Sequence, residues 1–208
     1  MAIRIQSSPT TEDLTNRSHL WGFPDLPEGV AYPCYDDDKI DDEGFEDTLT
    51  FIGQIRLEEV AALDTEGLLP KQGMLYFFAA LDYFLGDMEA DCEGLGEWPS
   101  GSFKVLYAPD CNHLHTHKVF YEDGTPATLP TEAMTFSTIE ERADGLKLLG
   151  RPFYEEQTDE PLLSLLQLDE NEEWGLRFFD MGMLCFLIDR QDLKAGHFDR
   201  TRCSLHSL

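Results

Sequence analysis

The segment from Cys111 to His117 has the residue types for the most specific chemistry in this sequence. A thiol and three imidazoles recur there at every second residue, and both groups are preferred ligands of zinc. On an extended strand, side chains two residues apart share a face at roughly 6 to 7 Å, so two of them could hold one ion without distortion. The pattern predicts either an exposed strand edge with tolerated histidines or a transition-metal site, whose ligands would be Cys111, His113, His115 and His117.

Other motifs do not complete the ion-binding or catalytic patterns that they first suggest. Acids alternate from Asp87 to Glu93 as at the start of an EF-hand loop, but the sixth position is Cys92 instead of glycine and the twelfth is Trp98. Gly94-x-Gly96 lacks the third glycine of a phosphate-binding loop. The chain has no G-x-S-x-G, Walker or H-E-x-x-H motif. We therefore predict no catalytic residue and no cofactor other than the possible transition metal.

Aromatic side chains in loops and amides inside apolar runs are the candidates for binding another molecule. The aromatic residues lie in segments rich in proline and glycine, where a ring either anchors its loop in the core or is displayed to a partner. The two glutamines lie inside apolar strands, where they either point outward or bond backbone groups at a seam between two halves of the protein. The candidate binding residues are Trp21, Phe23, Gln54, Trp98 and Gln167.

Charge limits the classes of partner that this chain can bind. It has 41 acidic and 15 basic residues, a formal net charge of −26. Nucleic acid and anionic membranes are excluded, because binding phosphates requires clustered Lys and Arg side chains. The acidic runs at 36–47 and 155–173 are predicted to be solvated loops. The charge favours a basic protein or peptide as partner.

Composition predicts a folded protein in a reducing compartment. Of the 208 residues, 42% are hydrophobic and 12% aromatic, enough to form a core without covalent staples. The five cysteines form no C-x-x-C pair, and an odd number is atypical of a disulfide framework, so they are expected to be free thiols. The sequence shows no apolar stretch of signal-peptide or membrane-spanning length. We expect a soluble, cytoplasmic protein, and nothing in the sequence sets its oligomeric state.

Short apolar runs bounded by Gly, Pro or Asp predict most of the secondary structure. Two segments are predicted as larger helical elements: 57–63, from its apolar spacing, and 138–149, from the capping-box spacing of Ser137 and Glu140 and the terminal Gly150. A helical turn at 190–194 begins after Asp189 as its cap. The strands are predicted at 49–57, 74–80, 103–108, 162–168, 182–188 and 200–205.

Similarity between two parts of the sequence predicts how these elements are organised. Residues 51–57 followed by 73–78 resemble 163–169 followed by 182–187, with Gln54 matching Gln167 and Gly73 matching Gly182. We expect the two copies to pack into one hydrophobic core, although any two buried strands can look alike. The predicted fold class is α+β, a β-rich single domain over 1–208 with an internally duplicated strand-helix-strand core. Its parts are an irregular segment at 1–48, a first half at 49–110, a connection at 111–161 with the helix 138–149, and a second half at 162–208.

The order and spacing of these segments resemble the YwqG-like proteins, a domain of unknown function numbered 1963. The resemblance spans residues 20 to about 205 and depends on no single motif. It implies a mixed, β-rich fold with a duplicated core and no established activity. One departure is Arg151, where the family pattern has an aromatic residue. The matching segments are 20–27, 51–55, 69–78, 148–152, 165–169, and 182–188 leading to 192–193.

Three functional hypotheses follow from these observations. The first is a non-enzymatic module that binds a basic protein or peptide, one version of which is an inhibitor that covers the phosphate-binding site of a basic toxin or nuclease. The second is a metal-dependent enzyme built on the segment from Cys111 to His117. The third is small-molecule binding in a cleft between the two halves.

Overall fold

The fold is dominated by antiparallel strands, as seen in a computed structural model that describes residues 1–35, 48–121, 123–154 and 162–207. The acidic run 36–47 and residues 155–161 lie outside these described residues. The prediction of a solvated loop is wrong for the described part of 155–173, because a buried strand occupies Leu163–Asp169. The strands are β1 Ala2–Pro9, β2 His19–Leu20, β3 Asp25–Pro27, β4 Thr50–Arg56, β5 Met74–Ala79, β6 Gly96–Glu97, β7 Phe103–Ala108, β8 Leu114–Thr116, β9 Glu132–Ile139, β10 Lys147–Leu148, β11 Leu163–Asp169, β12 Met183–Ile188 and β13 Arg202–His206.

Eleven of these strands form one sheet in the order β6-β13-β12-β11-β10-β1-β9-β2-β4-β5-β7, and β3 pairs with β8 in a separate two-stranded sheet. The helices are short: α1 at Leu57–Val60 has four residues, and α2 at Arg190–Ala195 has six. Asp189 caps α2 as predicted, since its carboxylate accepts hydrogen bonds from the N–H groups of Gln191 and Asp192. No helix in the described ranges combines the length and the apolar character needed to cross a membrane. The fold is thus β-rich, and the six predicted strands are confirmed as β4, β5, β7, β11, β12 and β13.

The N-terminal segment is not irregular as predicted, because it supplies β1 to the middle of the sheet. β1 pairs with β9 along its whole length and with β10 at Ile3 and Arg4. Ile3 and Ile5 are buried while Arg4 points to solvent, which is the alternation of a half-buried strand. The pattern was hidden because the second half of β1 is polar on both faces.

The predicted helix at 138–149 is also wrong. Ser137, its expected cap, lies in β9 opposite Arg4, and the chain enters β10 at Lys147. Gly145 adopts a left-handed φ of 80°, which ends any helical path. Pairing with β1 on both sides therefore overrides a local capping signal that has no apolar helical face behind it.

Both predicted strand pairs contribute to one hydrophobic interior. Phe77 of β5 and Phe186 of β12 pack edge to face with ring centroids 5.4 Å apart. Phe103 of β7 also contacts Phe186, at 6.1 Å. Side chains from β4, β5, β11 and β12 belong to the same core cluster. The prediction of a shared interior is confirmed.

Two short strands place buried basic side chains opposite the two glutamines. His19 of β2 lies opposite Gln54, and its Nδ1 is 2.8 Å from the carbonyl oxygen of Trp21. Lys147 of β10 lies opposite Gln167, and its ammonium donates to three backbone carbonyls in the segment 141–151. Burial lowers the pKa of His19 and lowers that of Lys147 to about 8.

Truncating Phe186, which packs against Phe77 and Phe103, should destabilise the whole protein. Phe186→Ala leaves a cavity between the two strand pairs, so we expect the free energy of unfolding to fall by about 3 to 5 kcal/mol. Chemical denaturation measures this change. Phe120→Ala is the control, because that ring is 50% exposed, and its loss should cost less than about 1 kcal/mol. Equal effects of the two substitutions would contradict a shared core.

The buried His19 predicts a pH dependence of stability. Its folded-state pKa lies below the ordinary 6.5, so its contribution to stability is present above pH 6.5 and is lost as the pH falls further. We expect the free energy of unfolding to decrease between pH 6.5 and about pH 5 more steeply in the natural protein than in His19→Gln. Denaturant titrations across this range measure both slopes. Parallel slopes would show that His19 does not titrate differently in the folded state.

Candidate functional site

The histidine segment does not assemble a metal site in the structure. β8 pairs with β3, and His113, His115 and His117 are exposed while Leu114 packs against a core cluster. The ring of His117 lies against Tyr32 at a centroid distance of 5.3 Å. Within the described ranges, no three His, Cys, Asp or Glu side chains lie close enough together to hold a metal ion.

Cys111, the fourth predicted ligand, is separated from the histidines by its environment. It is half-buried and packs against the same cluster as Leu114. Burial raises the pKa of its thiol, which favours the protonated form over the thiolate that binds metals. The described geometry therefore gives the metal hypothesis no support.

Most of the predicted binding aromatics are anchors of the core. Trp21 is fully buried and packs edge to face against Trp174 at 5.2 Å. Trp98 is also buried, and its indole N–H donates to the Gly94 carbonyl at 2.9 Å. Phe23 is half-buried. Trp21 and Trp98 thus anchor their loops in the core, which is the first of the two alternatives that the sequence left open for them.

Gln54 is buried beneath the segment that leads into β3. Its side-chain oxygen accepts a hydrogen bond from the backbone N–H of Asp25 at 2.8 Å. Its amide nitrogen donates to the Arg17 carbonyl at 3.0 Å and to the Asp25 carboxylate at 2.8 Å. Gln54 therefore fixes the backbone that crosses the outer face of the sheet at β4.

Gln167 makes the corresponding set of bonds on β11. Its side-chain oxygen accepts from the backbone N–H of Phe153 at 2.9 Å, and its nitrogen donates to the Gly145 carbonyl at 2.8 Å. Both glutamines are fully buried. The prediction that they bond backbone groups is confirmed, and the alternative that they point outward to solvent is wrong. Both side chains hold neighbouring segments of the backbone.

A cavity of about 580 Å³ lies on the outer face of β12 and β13, over the second of these glutamine-held segments. Its floor includes Leu187 and Ser204, and Leu95 on its rim is 60% exposed. Pro152 and Tyr154 form one wall, and β6 forms the other. None of the candidate residues named from the sequence lines it. The lining residues lie far apart in the chain, so the sequence could have revealed this site only through a correct prediction of which strands pair in the sheet.

One end of the cavity carries an ion pair. Arg202 of β13 and Glu97 of β6 form two hydrogen bonds, Nε to Oε1 at 2.8 Å and Nη2 to Oε2 at 2.5 Å. The hydrogen bond with Glu97 raises the pKa of Arg202, and the same contact lowers the pKa of Glu97. The charges of Arg202 and Glu97 thus neutralise each other. Leu187 and Tyr154 also line the cavity.

The Tyr154 side of the cavity is acidic. The Tyr154 hydroxyl donates to the Met181 carbonyl at 3.0 Å. Burial, followed by the charges of Asp169, Glu170 and Asp180, raises the pKa of this phenol. Within the described residues, none of these three carboxylates forms an ion pair. These three carboxylates lie outside the cavity lining, on the side of the Tyr154 wall where its hydroxyl meets Met181.

Comparison with known proteins places the chain in a family but adds no activity. Among curated proteins, none matches this sequence. The sequence model of the family DUF1963, described as a domain of unknown function, matches residues 18–206. This match spans nearly the whole chain and agrees with the resemblance to YwqG-like proteins. The chain therefore belongs to the DUF1963 family.

Proposed function

We propose that the protein is a binding module that holds a basic segment of another protein in the cavity over β12 and β13. The observation that carries this proposal is a cavity of about 580 Å³, lined in part by the apolar side chains of Leu95, Leu162 and Leu187, on a chain of net charge −26. Ligand sites in proteins are typically concave, mostly apolar and supplied with a few polar groups. The cavity has these properties.

We further infer that the protein contains two copies of one structural unit, and strand pairing supports this. In the first copy, Gln54 of β4 lies opposite Tyr76, and the register shifts between Phe51 and Gly53. In the second, Gln167 of β11 lies opposite Cys185, and the register shifts between Ser164 and Leu166. Counting from either glutamine, the irregularity falls at the same place. Phe77 and Phe186 occupy matching positions and touch each other, as expected beside an approximate two-fold axis.

The segments that precede the glutamine strands support the same inference. Trp21-Gly22 and Leu149-Gly150 each have two successive left-handed residues, with φ of 51° and 73° in the first and 60° and 85° in the second. The N–H of Trp21 donates to Ile52 at 2.9 Å, and that of Leu149 donates to Leu165 at 3.4 Å. A non-glycine residue with positive φ is uncommon, so its recurrence at matching positions is informative.

Comparing the two units shows what is special about the cavity. In the first unit, the outer face of β5 and β7 is covered by the β3–β8 sheet, with Leu26 and Leu114 packed on it. In the second unit, the corresponding apolar side chains are those of β12, with Tyr154 and Leu162 packed beside them among the described residues. Among the described residues, the cavity thus lies on a face whose counterpart in the first unit is covered.

The charge of the chain favours a basic occupant. A net charge of −26 attracts cationic partners over distances comparable to the Debye length, and such steering mainly raises the association rate. An apolar side chain that enters the cavity would then be removed from water, at about 25 cal/mol for each Å² buried. Affinity would come from this burial, and the preference for basic partners would come from charge.

Filling the cavity with a large side chain should weaken the binding of peptides to it. A random dodecapeptide library displayed on phage is selected on the immobilised full chain, and the enriched peptides are measured by fluorescence anisotropy. Ser204→Trp fills the floor and should weaken binding at least about tenfold. Ser137→Trp is the matched control on exposed β9 and should change affinity less than about twofold.

The same peptides test the contribution of charge. Raising the salt concentration from about 0.01 M to about 0.15 M should slow association, because the Debye length shortens from about 30 Å to about 8 Å. Circular dichroism and thermal unfolding of Ser204→Trp and Ser137→Trp test whether both variants are folded. If no peptide is enriched, or if all enriched peptides bind Ser204→Trp as well as the natural protein, the proposed function is wrong.

A further inference from the structure

We propose that the occupant of the cavity binds as an extended β-strand, in the position that β8 occupies in the other half of the protein. This inference rests on the proposed function, because it specifies how the same cavity holds its partner. It draws on the comparison of the two units, in which one face carries an added strand and the other carries the cavity.

β8 shows how a strand is held on the outer face of the first unit. It pairs antiparallel with β3, with Leu26 opposite His115. The next residue beyond β8, His117, donates its backbone N–H to the Pro24 carbonyl at 2.8 Å. Leu114 of β8 packs in the cluster that also contains Leu106 and Ala108 of β7. β8 thus contributes both backbone pairing and an apolar side chain.

The cavity wall presents the matching backbone. Two residues after the left-handed glycines Gly22 and Gly150, Pro152 corresponds to Pro24. Tyr154 corresponds to Leu26 by the same count, and Pro152 and Tyr154 both line the cavity. Phe153 lies between them and is held by Gln167 through its N–H, as Asp25 is held by Gln54. The segment 152–154 is therefore fixed along the cavity in the way that β3 is fixed beside β8. A wall held in advance lowers the entropic cost of adding a strand.

The cavity floor presents matching positions with smaller or more polar side chains. β7 pairs with β5 as β13 pairs with β12, so Ser204 corresponds to Leu106. His206 corresponds to Ala108 in the same alignment, and both Ser204 and His206 line the cavity. The serine hydroxymethyl group leaves space that Leu106 fills in the other unit. This space fits an apolar side chain at the position of Leu114.

The charges beside the cavity define a second feature of the ligand. In the first unit, Thr116 of β8 donates to the carboxylate of Asp25 at 2.7 Å. The residue that corresponds to Asp25 is Phe153, so the second unit offers no such acceptor there. The Tyr154 hydroxyl donates instead to the carbonyl of Met181, the residue after Asp180, at 3.0 Å. Burial, followed by the charges of Asp169, Glu170 and Asp180, raises the pKa of this phenol. The strand should therefore carry a Lys or Arg beside Tyr154, next to its apolar residue.

The length of the site follows from the geometry of strands. β8 has three residues, which span about 10 Å at the usual rise of a strand. Adding the residue on each side that reaches the cavity ends gives a recognised segment of about five residues. Recognition in this form is β-augmentation, in which backbone hydrogen bonds give affinity and alternate side chains give specificity.

Methylation of peptide nitrogens tests the strand geometry. Backbone N–H groups of a strand point alternately toward and away from the neighbouring strand. The tightest dodecapeptide that requires the free cavity, defined by its loss of binding to Ser204→Trp, is synthesised with single N-methyl groups along its length. We expect methylation at alternate positions to weaken binding at least about tenfold and methylation between them to change it less than about twofold.

The possible outcomes separate the two proposals. If N-methylation weakens binding at every second peptide position and leaves the positions between them unaffected, strand addition is supported. Binding that depends on the cavity but shows no alternation overturns strand addition and leaves the binding module intact. If no peptide depends on the cavity, both proposals fail.

Charge substitutions test whether carboxylates near Tyr154 recognise a Lys or Arg side chain of the bound strand. Glu170→Gln with Asp180→Asn removes two charges that act on the Tyr154 phenol, and Glu28→Gln with Glu140→Gln removes two exposed charges that do not. We expect the first pair to speed dissociation of a Lys-containing peptide at least about tenfold and the second pair to affect only its association. Replacing the peptide lysine by norleucine should remove the difference. Equal dissociation rates for the two double variants would contradict local recognition of a basic residue.

Discussion

The hydrogen bonds of two buried glutamines are the constraint on which the rest of the structure depends. A side-chain amide that is buried without partners costs about 1 to 3 kcal/mol for each group left unpaired. Gln54 and Gln167 avoid this cost by bonding backbone groups of segments that cross the outer face of the sheet. Each glutamine therefore determines where a covering segment begins and which of its peptide groups are held. Other bonds support the same segments, among them the pairing of β3 with β8 and the bond from the Lys147 ammonium to the Arg151 carbonyl.

The two glutamine-held segments have different consequences for the outer faces of the sheet. The segment at Asp25 continues as β3, gains β8 as a partner and buries the face of β5 and β7. The segment at Phe153 passes Tyr154 and leaves a cavity over β13. One of these faces is thus closed by the chain itself, and the other carries the cavity that we propose as the binding site. The shared interior, joined at Phe77 and Phe186, keeps both faces in a fixed relation.

Sequence reasoning found β4, β5, β7, β11, β12 and β13 because they are apolar runs with clear boundaries. Gln54 and Gln167 were visible as polar residues inside such runs, and the structure explains them by their backbone bonds. β1 was missed because half of it is polar, and β9 was missed because the capping-box residues Ser137 and Glu140 imitate a helix start. The cavity could not be predicted, since Leu95, Tyr154, Leu187 and Ser204 meet only after long-range pairing. The histidine pattern was real in sequence, but it falls on an exposed strand whose inward side chain is Leu114.

The central claim is that the segment held by Gln167 is a prepared receptor for an added strand. Amide hydrogen exchange of the full chain, with and without the selected peptide, tests this claim most directly. The account predicts slower exchange in the presence of peptide at Tyr154 and along β13, with β3 and β8 unchanged. Protection that appears instead around β8, or that is absent from both units while the peptide is bound, would contradict it.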